Sequence, residues 1–438
     1  MAHASPTRTV EEHRDEILAL VSTLPAVTLP LARCLGLTLH EDLVARLPAP
    51  PFTNSSMDGF AVRAADVAGA SAERPVELPV TGDQPAGPAA ASALAPGTTI
   101  RIMTGAPLPD GADAVVPVEQ TDQPRGAAPL PPAVRVVEPV AAGAYVRHRG
   151  EGVPVGAPVM PAGTRLGPAA LAAAGAVGYG ELSVVRRPRL AVVSTGDELA
   201  APGDALGGGT IPDSNLAMLV ALATEWGADV PLAERVGDDP EVLSAVLARA
   251  AEVADLVVTC GGISAGAFEV VRQALESPEV RFVQVAMQPG KPQGLGVLTG
   301  GPHRPIPVVA LPGNPVSSFV GFRVYVRPAL ARLAGRDPLG ETLTVQVRAA
   351  EAWRSPSGRR QYAPVRLEAP ERPGEPYLAR PTHRLGSASH LVGSLHLAHA
   401  LAVVPAEVTQ VEAGQALPAV PLPPWSPELP DQVVPAPR

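Results

Sequence analysis

The sequence predicts a multidomain α/β plus β protein, with a central doubly wound, mostly parallel sheet between β-rich segments. Over residues 187–335, apolar runs suited to buried strands alternate with helical patterns, as strand–helix crossovers require. From about Ala45 to Val140, and again over 341–420, short Val- and Ile-containing runs are separated by Gly, Pro and Asp. A chain of 438 residues has room for two to four domains at roughly 100–200 residues each.

The elements follow in order. Residues 8–22 read as an amphipathic helix, with Thr9 as its cap and Glu12 three residues on. In the β-rich stretch the strands are Gly59–Arg63, Thr98–Ile102, Ala114–Val118 and Ala133–Val137, and Gln84 to Pro96 is a surface loop. About Val140 to Arg186, turns surround a small helix near Ala169–Gly175. The α/β region then runs Leu190–Val193 (strand), Leu216–Trp226 (helix), Ala233–Val236 (strand) and Pro240–Ala254 (helix). Asp239 is a natural N-cap for that last helix, with Pro240 at its first position and Glu241 in its first turn. Leu256–Cys260 is a strand, Phe268–Leu275 a helix, Phe282–Ala286 and Val308–Leu311 strands, and Val316–Leu333 a helix. Leu343–Arg348 and Leu401–Val404 belong to the C-terminal β segment, and the Pro-rich 421–438 is a tail.

Composition excludes several classes. A net charge of −9 lacks the basic footprint of a nucleic-acid binder. Aromatics at 3% make poor stacking platforms. Two cysteines, Cys34 and Cys260, form no CxxC, so a Cys-based zinc or iron–sulfur site is ruled out and two buried thiols are expected. No apolar signal segment opens the chain, and Pro168 to Tyr179 is too short to span a bilayer. A cytoplasmic protein without a membrane partner is expected.

The chemistry is expected where the strands end. Ser194-Thr195-Gly196-Asp197-Glu198, Gly237-Asp238-Asp239, Gly261-Gly262-Ile263-Ser264-Ala265-Gly266, Met287-Gln288-Pro289-Gly290-Lys291-Pro292 and Pro312-Gly313-Asn314-Pro315-Val316-Ser317 each follow a strand. Ligands of doubly wound sheets bind at these carboxyl ends. Gly-rich turns entering helices expose N–H groups to anions, and Lys291 adds positive charge. No Walker A or GxGxxG motif is present, which disfavours ordinary NTPases and dinucleotide dehydrogenases. Glu198, Asp238 and Glu269 beside phosphates suit Mg²⁺, which takes a few carboxylates plus substrate phosphates. Capping is the plainer reading for Asp239, and less so for Asp238. His390, His396 and His399 lie close in sequence, but without further ligands a structural or solvated role is expected.

Together these motifs resemble the molybdopterin molybdenumtransferase (MoeA/gephyrin) family, from about residue 9 to 415. The matching segments are Asn54–Arg63, Arg101–Ala106, Pro161–Leu166, Ser194–Leu199, Gly261–Gly266, Pro289–Pro292 and Leu311–Ser317. The resemblance implies a MogA/MoaB-like molybdopterin-binding domain at 187–336 and a β-rich domain at 46–140. It also implies a C-terminal β domain at 337–420 and an elongated mixed domain assembled from 1–45 and 141–186. It implies Mg²⁺-dependent insertion of molybdate into adenylylated molybdopterin with release of AMP, by a homodimer whose active site lies at the subunit interface. Catalytic acids would be Asp58, Glu198, Asp238 and Glu269. Substrate contacts would come from Thr104, Gly105, Ser194, Thr195, Gly196, Asp197, Asp213, Ser214, Asn215, Gly261, Gly262, Ser264, Gly266, Pro289, Gly290, Lys291, Pro292, Pro312, Gly313, Asn314, Pro315 and Ser317. Other cofactor-biosynthesis proteins or apo-molybdoenzymes are further implied partners.

Some positions depart from the pattern. Glu269 stands for the usual Asp, Arg272 for Lys, and Gly152 for an acid, while Gln284 and Gln288 stand where some members carry Lys. Gly358-Arg359-Arg360 is expected to compensate for the lost cations. The alternatives are a cofactor-binding paralogue without insertion activity and an enzyme dedicated to tungstate. The retained acids favour insertion.

Overall fold

The computed structural model describes residues 7–88, 92–263, 270–275, 279–299, 305–340, 344–370, 372 and 374–423. They gather into two compact units, one drawn from Met1–Val27, Gly36–His40 and Val184–Arg438, the other from Thr28–Leu35 and Glu41–Ser183.

Helix α1 (Val10–Ala19) opens the first unit. Thr9 Oγ1 accepts from the Glu12 N–H, and the Glu12 carboxylate accepts from the Thr9 N–H. That reciprocal pair satisfies two donors the helix itself leaves open, as the sequence predicts.

The second unit is built on five strands: β1 (Gly59–Val62), β2 (Val76–Gln84), β3 (Thr99–Ile102), β4 (Ala114–Pro117) and β5 (Ala133–Val136). Their order is β4-β1-β3-β2-β5, antiparallel except for the β2–β3 pair. Phe60, Val62, Val116, Val134 and Val136 fill its core. Strand β2 is not predicted from sequence, because Pro79, Gly82 and alternating charges disguise it. It also takes Gln84 out of the expected surface loop. Gln84 is buried, and Leu94 is buried with its N–H on the Asp110 carbonyl at 2.8 Å. Farther on, α2 (Pro168–Ala176) carries proline at its first turn.

The first unit resumes with an α/β layer: β6 (Arg189–Thr195), α3 (Ser214–Glu225), β7 (Asp229–Val236), α4 (Pro240–Val253), β8 (Leu256–Cys260), α5 (Val270–Leu275), β9 (Val280–Gln284), β10 (Pro292–Leu298) and β11 (Ile306–Leu311). The sheet order is β7-β6-β8-β11-β10-β9. Strands β7, β6, β8 and β11 are parallel, whereas β10 is antiparallel to both β11 and β9. Alternate residues feed two cores. Leu190, Val192, Val258 and Val309 face one, and Ala191, Val193, Val257 and Val308 face the other. A sheet buried on both faces is why these strands read as continuous apolar runs.

Helix α6 (Pro315–Gly321), a π-helical turn (Phe322–Val326) and α7 (Arg327–Leu333) occupy the stretch predicted as one helix. The chain then closes a five-stranded ring from β12 (Val345–Ala349), β13 (Arg360–Glu368), β14 (Tyr377–Pro381), β15 (Ala400–Val404) and β16 (Ala416–Pro421). Nine-residue β13 makes closure possible by pairing with β15 through Gln361–Val365 and with β14 through Val365–Glu368. Pro421 and the buried Leu422 belong to this ring, so the expected tail gives up its first two residues; 424–438 lie outside the described residues. Among the described residues, no helix is long and apolar enough to cross a membrane.

Candidate functional site

From β6 the chain passes to β7 on one side and then to β8 on the other. The carboxyl ends of β6 and β8 therefore flank a topological switch point, where open α/β sheets leave a crevice. A cavity of about 620 Å³ lies there. Four of the five predicted loops supply most of its lining: Ser194, Thr195, Gly196 and Glu198 from β6; Asp238 from β7; Gly261, Gly262 and Ile263 from β8; and Pro312, Gly313, Asn314 and Pro315 from β11. Asp213, Ser214 and Asn215 at the head of α3 join them.

Local bonds hold these loops. The Ile211 N–H reaches the Glu198 carbonyl at 2.7 Å. The Asp238 N–H donates to Asp197 Oδ1 at 2.9 Å, while the Asp197 N–H points back to Asp238 Oδ2 at 3.4 Å. Asp197 is thus a clasp for Asp238 and does not line the cavity. Asp239 caps α4, its Oδ1 accepting from Glu241 and Val242 N–H groups at 2.9 and 3.2 Å. Asp213 Oδ1 caps α3 in the same way, at 3.0 and 3.1 Å. Asn215 Nδ2 donates to the Gly313 carbonyl at 2.6 Å, joining the β11 loop to α3. Gly261 has φ +101, and a Cβ there would sit 2.4 Å from the Thr195 carbonyl oxygen. Only glycine lets these two loops touch.

Cys260 contributes to the lining of the cavity, and its buried Sγ lies 3.1 Å from Ser318 Oγ. Burial pushes its thiol up to about 12, so it is an inert, protonated group. Cys34 is likewise buried and free. Ser194 Oγ and Asp213 Oδ2 are buried without a hydrogen-bond partner among the described residues. Buried polar atoms of this kind await a partner.

The fifth loop departs from expectation. Antiparallel β10 separates β11 from β9, so the turn after β9 sits about two strand spacings away, roughly 10 Å. Of that turn only Pro292 lines the cavity; Pro289, Gly290 and Lys291 do not. It faces the C-terminal ring instead. Met287–Gln288 pairs with Arg360–Gln361, and Arg359 donates to Gln288 Oε1 at 3.1 Å. Arg360 is engaged by Glu11. Ser317 is buried on α6 and is not part of the lining. Ser264, Gly266 and Glu269 lie outside the described residues.

Glu198 and Asp238 are therefore the two described carboxylates of the expected metal set. No group of three His, Cys, Asp or Glu converges among the described residues. Two carboxylates with adjoining unsatisfied oxygens fit Mg²⁺, which retains waters and takes the rest of its shell from phosphates.

His390 and Val392, from the segment between β14 and β15, also line the cavity. The sequence reading assigns His390 a structural or solvated role, because no local motif marks a residue brought in from another layer. His399 fits that role: its Nδ1 accepts from the Leu367 N–H at 3.1 Å.

Within the second unit, Asp58 Oδ1 accepts from the Thr104 N–H at 2.7 Å and from Thr104 Oγ1 at 2.8 Å. The backbone and hydroxyl bonds from Thr104 hold the Asp58 carboxyl below its ordinary range. Both residues line a separate cavity of about 710 Å³ with Arg101, Met103 and Phe60. Gly105 stays outside it, its N–H on the Ser55 carbonyl at 2.8 Å.

Three family models match in sequence order. The MoeA N-terminal region (domain I and II) matches residues 8–178, a probable molybdopterin binding domain 191–332, and the MoeA C-terminal region (domain IV) 346–422. The chain is 42% identical over 425 residues to Molybdopterin molybdenumtransferase 2 of Mycobacterium tuberculosis (strain ATCC 25618 / H37Rv), covering 94% of this chain and 98% of the relative. Molybdopterin molybdenumtransferase 1 of the same strain is 34% identical over 425 residues, covering 93% and 97%. Among solved structures, a molybdopterin biosynthesis moea protein from Pyrococcus horikosii superposes with a TM-score of 0.78 at 31% identity, covering 96% of this chain and 100% of that one.

Proposed function

The chain belongs to the molybdopterin molybdenumtransferase family and is a transferase of molybdenum cofactor biosynthesis, and from that premise we propose that it cleaves adenylylated molybdopterin and inserts molybdate. The observation that carries the reading is the cavity at the switch point, where Gly-rich turns meet the carboxylates of Glu198 and Asp238. Turn N–H groups at Gly262–Ile263 and Gly313–Asn314 suit the phosphates and the pterin. Glu198 and Asp238 would hold Mg²⁺, which supplies neutralisation of charge on the phosphates when bound. The phosphoanhydride P–O bond breaks as an oxygen nucleophile adds to phosphorus, and AMP leaves. In this scheme Asp197 keeps Asp238 aimed into the cavity, and Asn215 keeps the Gly313 turn against α3. Asp58 and Thr104 of one protomer would complete the site of a second copy, as the resemblance implies.

The test is AMP release from adenylylated molybdopterin with Mg²⁺ and molybdate, in wild type and Asp238→Ala. Molybdate-dependent release by wild type alone is the expected result. Tight binding with no release under molybdate or tungstate would overturn the insertion reading.

A further inference from the structure

We propose that His390 is the cationic contact for substrate phosphate in the α/β cavity, an inference that rests on reading the cavity as a phosphate-ester site. The argument begins with charge. The described lining residues carry three carboxylates, Glu198, Asp213 and Asp238, and no Lys or Arg. By sequence, residues 264–269 contain no Lys or Arg. An anion brought beside carboxylates needs opposing charge, most of all where walls exclude water. Asp213 already engages two N–H groups of α3. A divalent cation matched to Glu198 and Asp238 offsets those two carboxylates and leaves the phosphates' own charge to be met. Turn N–H groups contribute dipoles to that task. His390 is the one described lining side chain able to bring a full positive charge.

Its placement is built into the fold. The Val316 N–H, near the start of α6, donates to the Ser389 carbonyl at 3.0 Å. That bond ties the residue beside His390 to the helix whose preceding loop, Pro312–Pro315, lines the same cavity. The Val392 N–H donates to the His390 carbonyl at 2.9 Å and holds the following turn. The residue is exposed, and its ring makes no hydrogen bond or ion pair among the described residues. Both ring nitrogens can therefore serve a ligand, and an imidazolium donates from each. His13 and His399 differ, the first fully buried and the second bonded to the Leu367 backbone. Lys291 and Arg359, the other nearby cations in sequence motifs, are not in the lining.

Inorganic pyrophosphate is the probe, titrated calorimetrically into the full chain with magnesium chloride present. His390→Ala should weaken binding about tenfold or more, the usual worth of a charge-assisted hydrogen bond. His390→Arg should hold affinity within about threefold, and His396→Ala, outside the lining, should match wild type. Equal affinity for His390→Ala and wild type would overturn the proposal and leave the phosphate reading of the cavity intact. A loss that His390→Arg does not recover would also overturn it, by assigning the side chain to shape rather than charge. Wild-type protein that binds neither pyrophosphate nor AMP would overturn the cavity reading itself, and this inference with it.

Discussion

His13 lies fully buried on α1, edge-on to the Tyr325 ring at 4.7 Å, with neither ring nitrogen hydrogen-bonded among the described residues. Burial, helped by the charges of Arg8 and Arg281, pushes its pKa from 6.5 down to about 3. Between those values the unfolded chain binds a proton that the folded chain refuses, so stability falls as pH falls. The slope is about 1.4 kcal/mol per pH unit. His13→Phe should keep the ring contact and remove this component. Its thermal midpoint should therefore drop less than that of wild type between pH 7 and pH 5, and equal drops would refute the assignment. Asp255 behaves in the opposite sense. Burial opposes its charge, but bonds from Arg186 and Arg189 prevail and hold its carboxyl below the ordinary value. Its contribution is present above the usual carboxylate range and lost as pH falls through the lowered pKa. Asp255 is 0% exposed and Arg186 25% exposed, so Asp255→Asn should cost about 2 kcal/mol at pH 7, short of the fully buried case. Chemical denaturation of the full chain checks it. Asp238 and Asp239 make a further residue-level contrast. Asp239→Ala should remove the α4 cap, lowering stability by about 1 kcal/mol. Asp238→Ala should leave the denaturation midpoint nearly unchanged while abolishing AMP release.

At the scale of elements, the helices with caps are the most legible. Thr9/Glu12 and Asp239/Pro240 mark α1 and α4 in the sequence and also in the structure. Strand β10 is not legible, and the reason is packing. Its sequence, Pro-Gln-Gly-Leu-Gly-Val-Leu, is assigned no element above, and its proline and two glycines disguise a strand. A Cβ at Gly296, however, would lie 2.1 Å from the Glu279 carbonyl oxygen. Glycine is there because the neighbouring strand crowds the position, and that crowding is invisible in one dimension. The same missed strand explains why the Lys291 turn departs from the expected rim. The loop after β8 yields its own prediction. Gly261→Ala combines a left-handed backbone with a clash against the Thr195 carbonyl, so it should cost about 1–3 kcal/mol. Pyrophosphate affinity should fall with it, and a variant with unchanged midpoint and affinity would show that the loop relaxes freely.

For the whole molecule, the cavity draws on two layers of one unit: the α/β sheet supplies its walls, and the segment between β14 and β15 supplies His390 and Val392. Asp58 and Thr104 line a cavity in the other unit. If the active site is shared between copies, two inactive variants should complement each other. Mixed Asp58→Ala and Asp238→Ala protomers should recover about a quarter of wild-type AMP release, since half the dimers are mixed and each carries one intact site. No recovery on subunit exchange would mean that all essential groups come from one copy.

Most of the site's composition was determined by the sequence alone, because turn chemistry is local. Gly, Pro, hydroxyl and carboxylate residues after apolar runs mark strand ends wherever the strands lie. Strand order, by contrast, is a long-range property. Only the tertiary structure decided that β6 and β8 flank the crevice, that β10 runs antiparallel and moves Lys291 aside, and that Asp197 clasps Asp238. It alone brought His390 to a cavity whose carboxylates lie more than 150 positions earlier in the chain. Hydrophobic burial and sheet pairing set that placement, and neither leaves a mark beside the residue it positions.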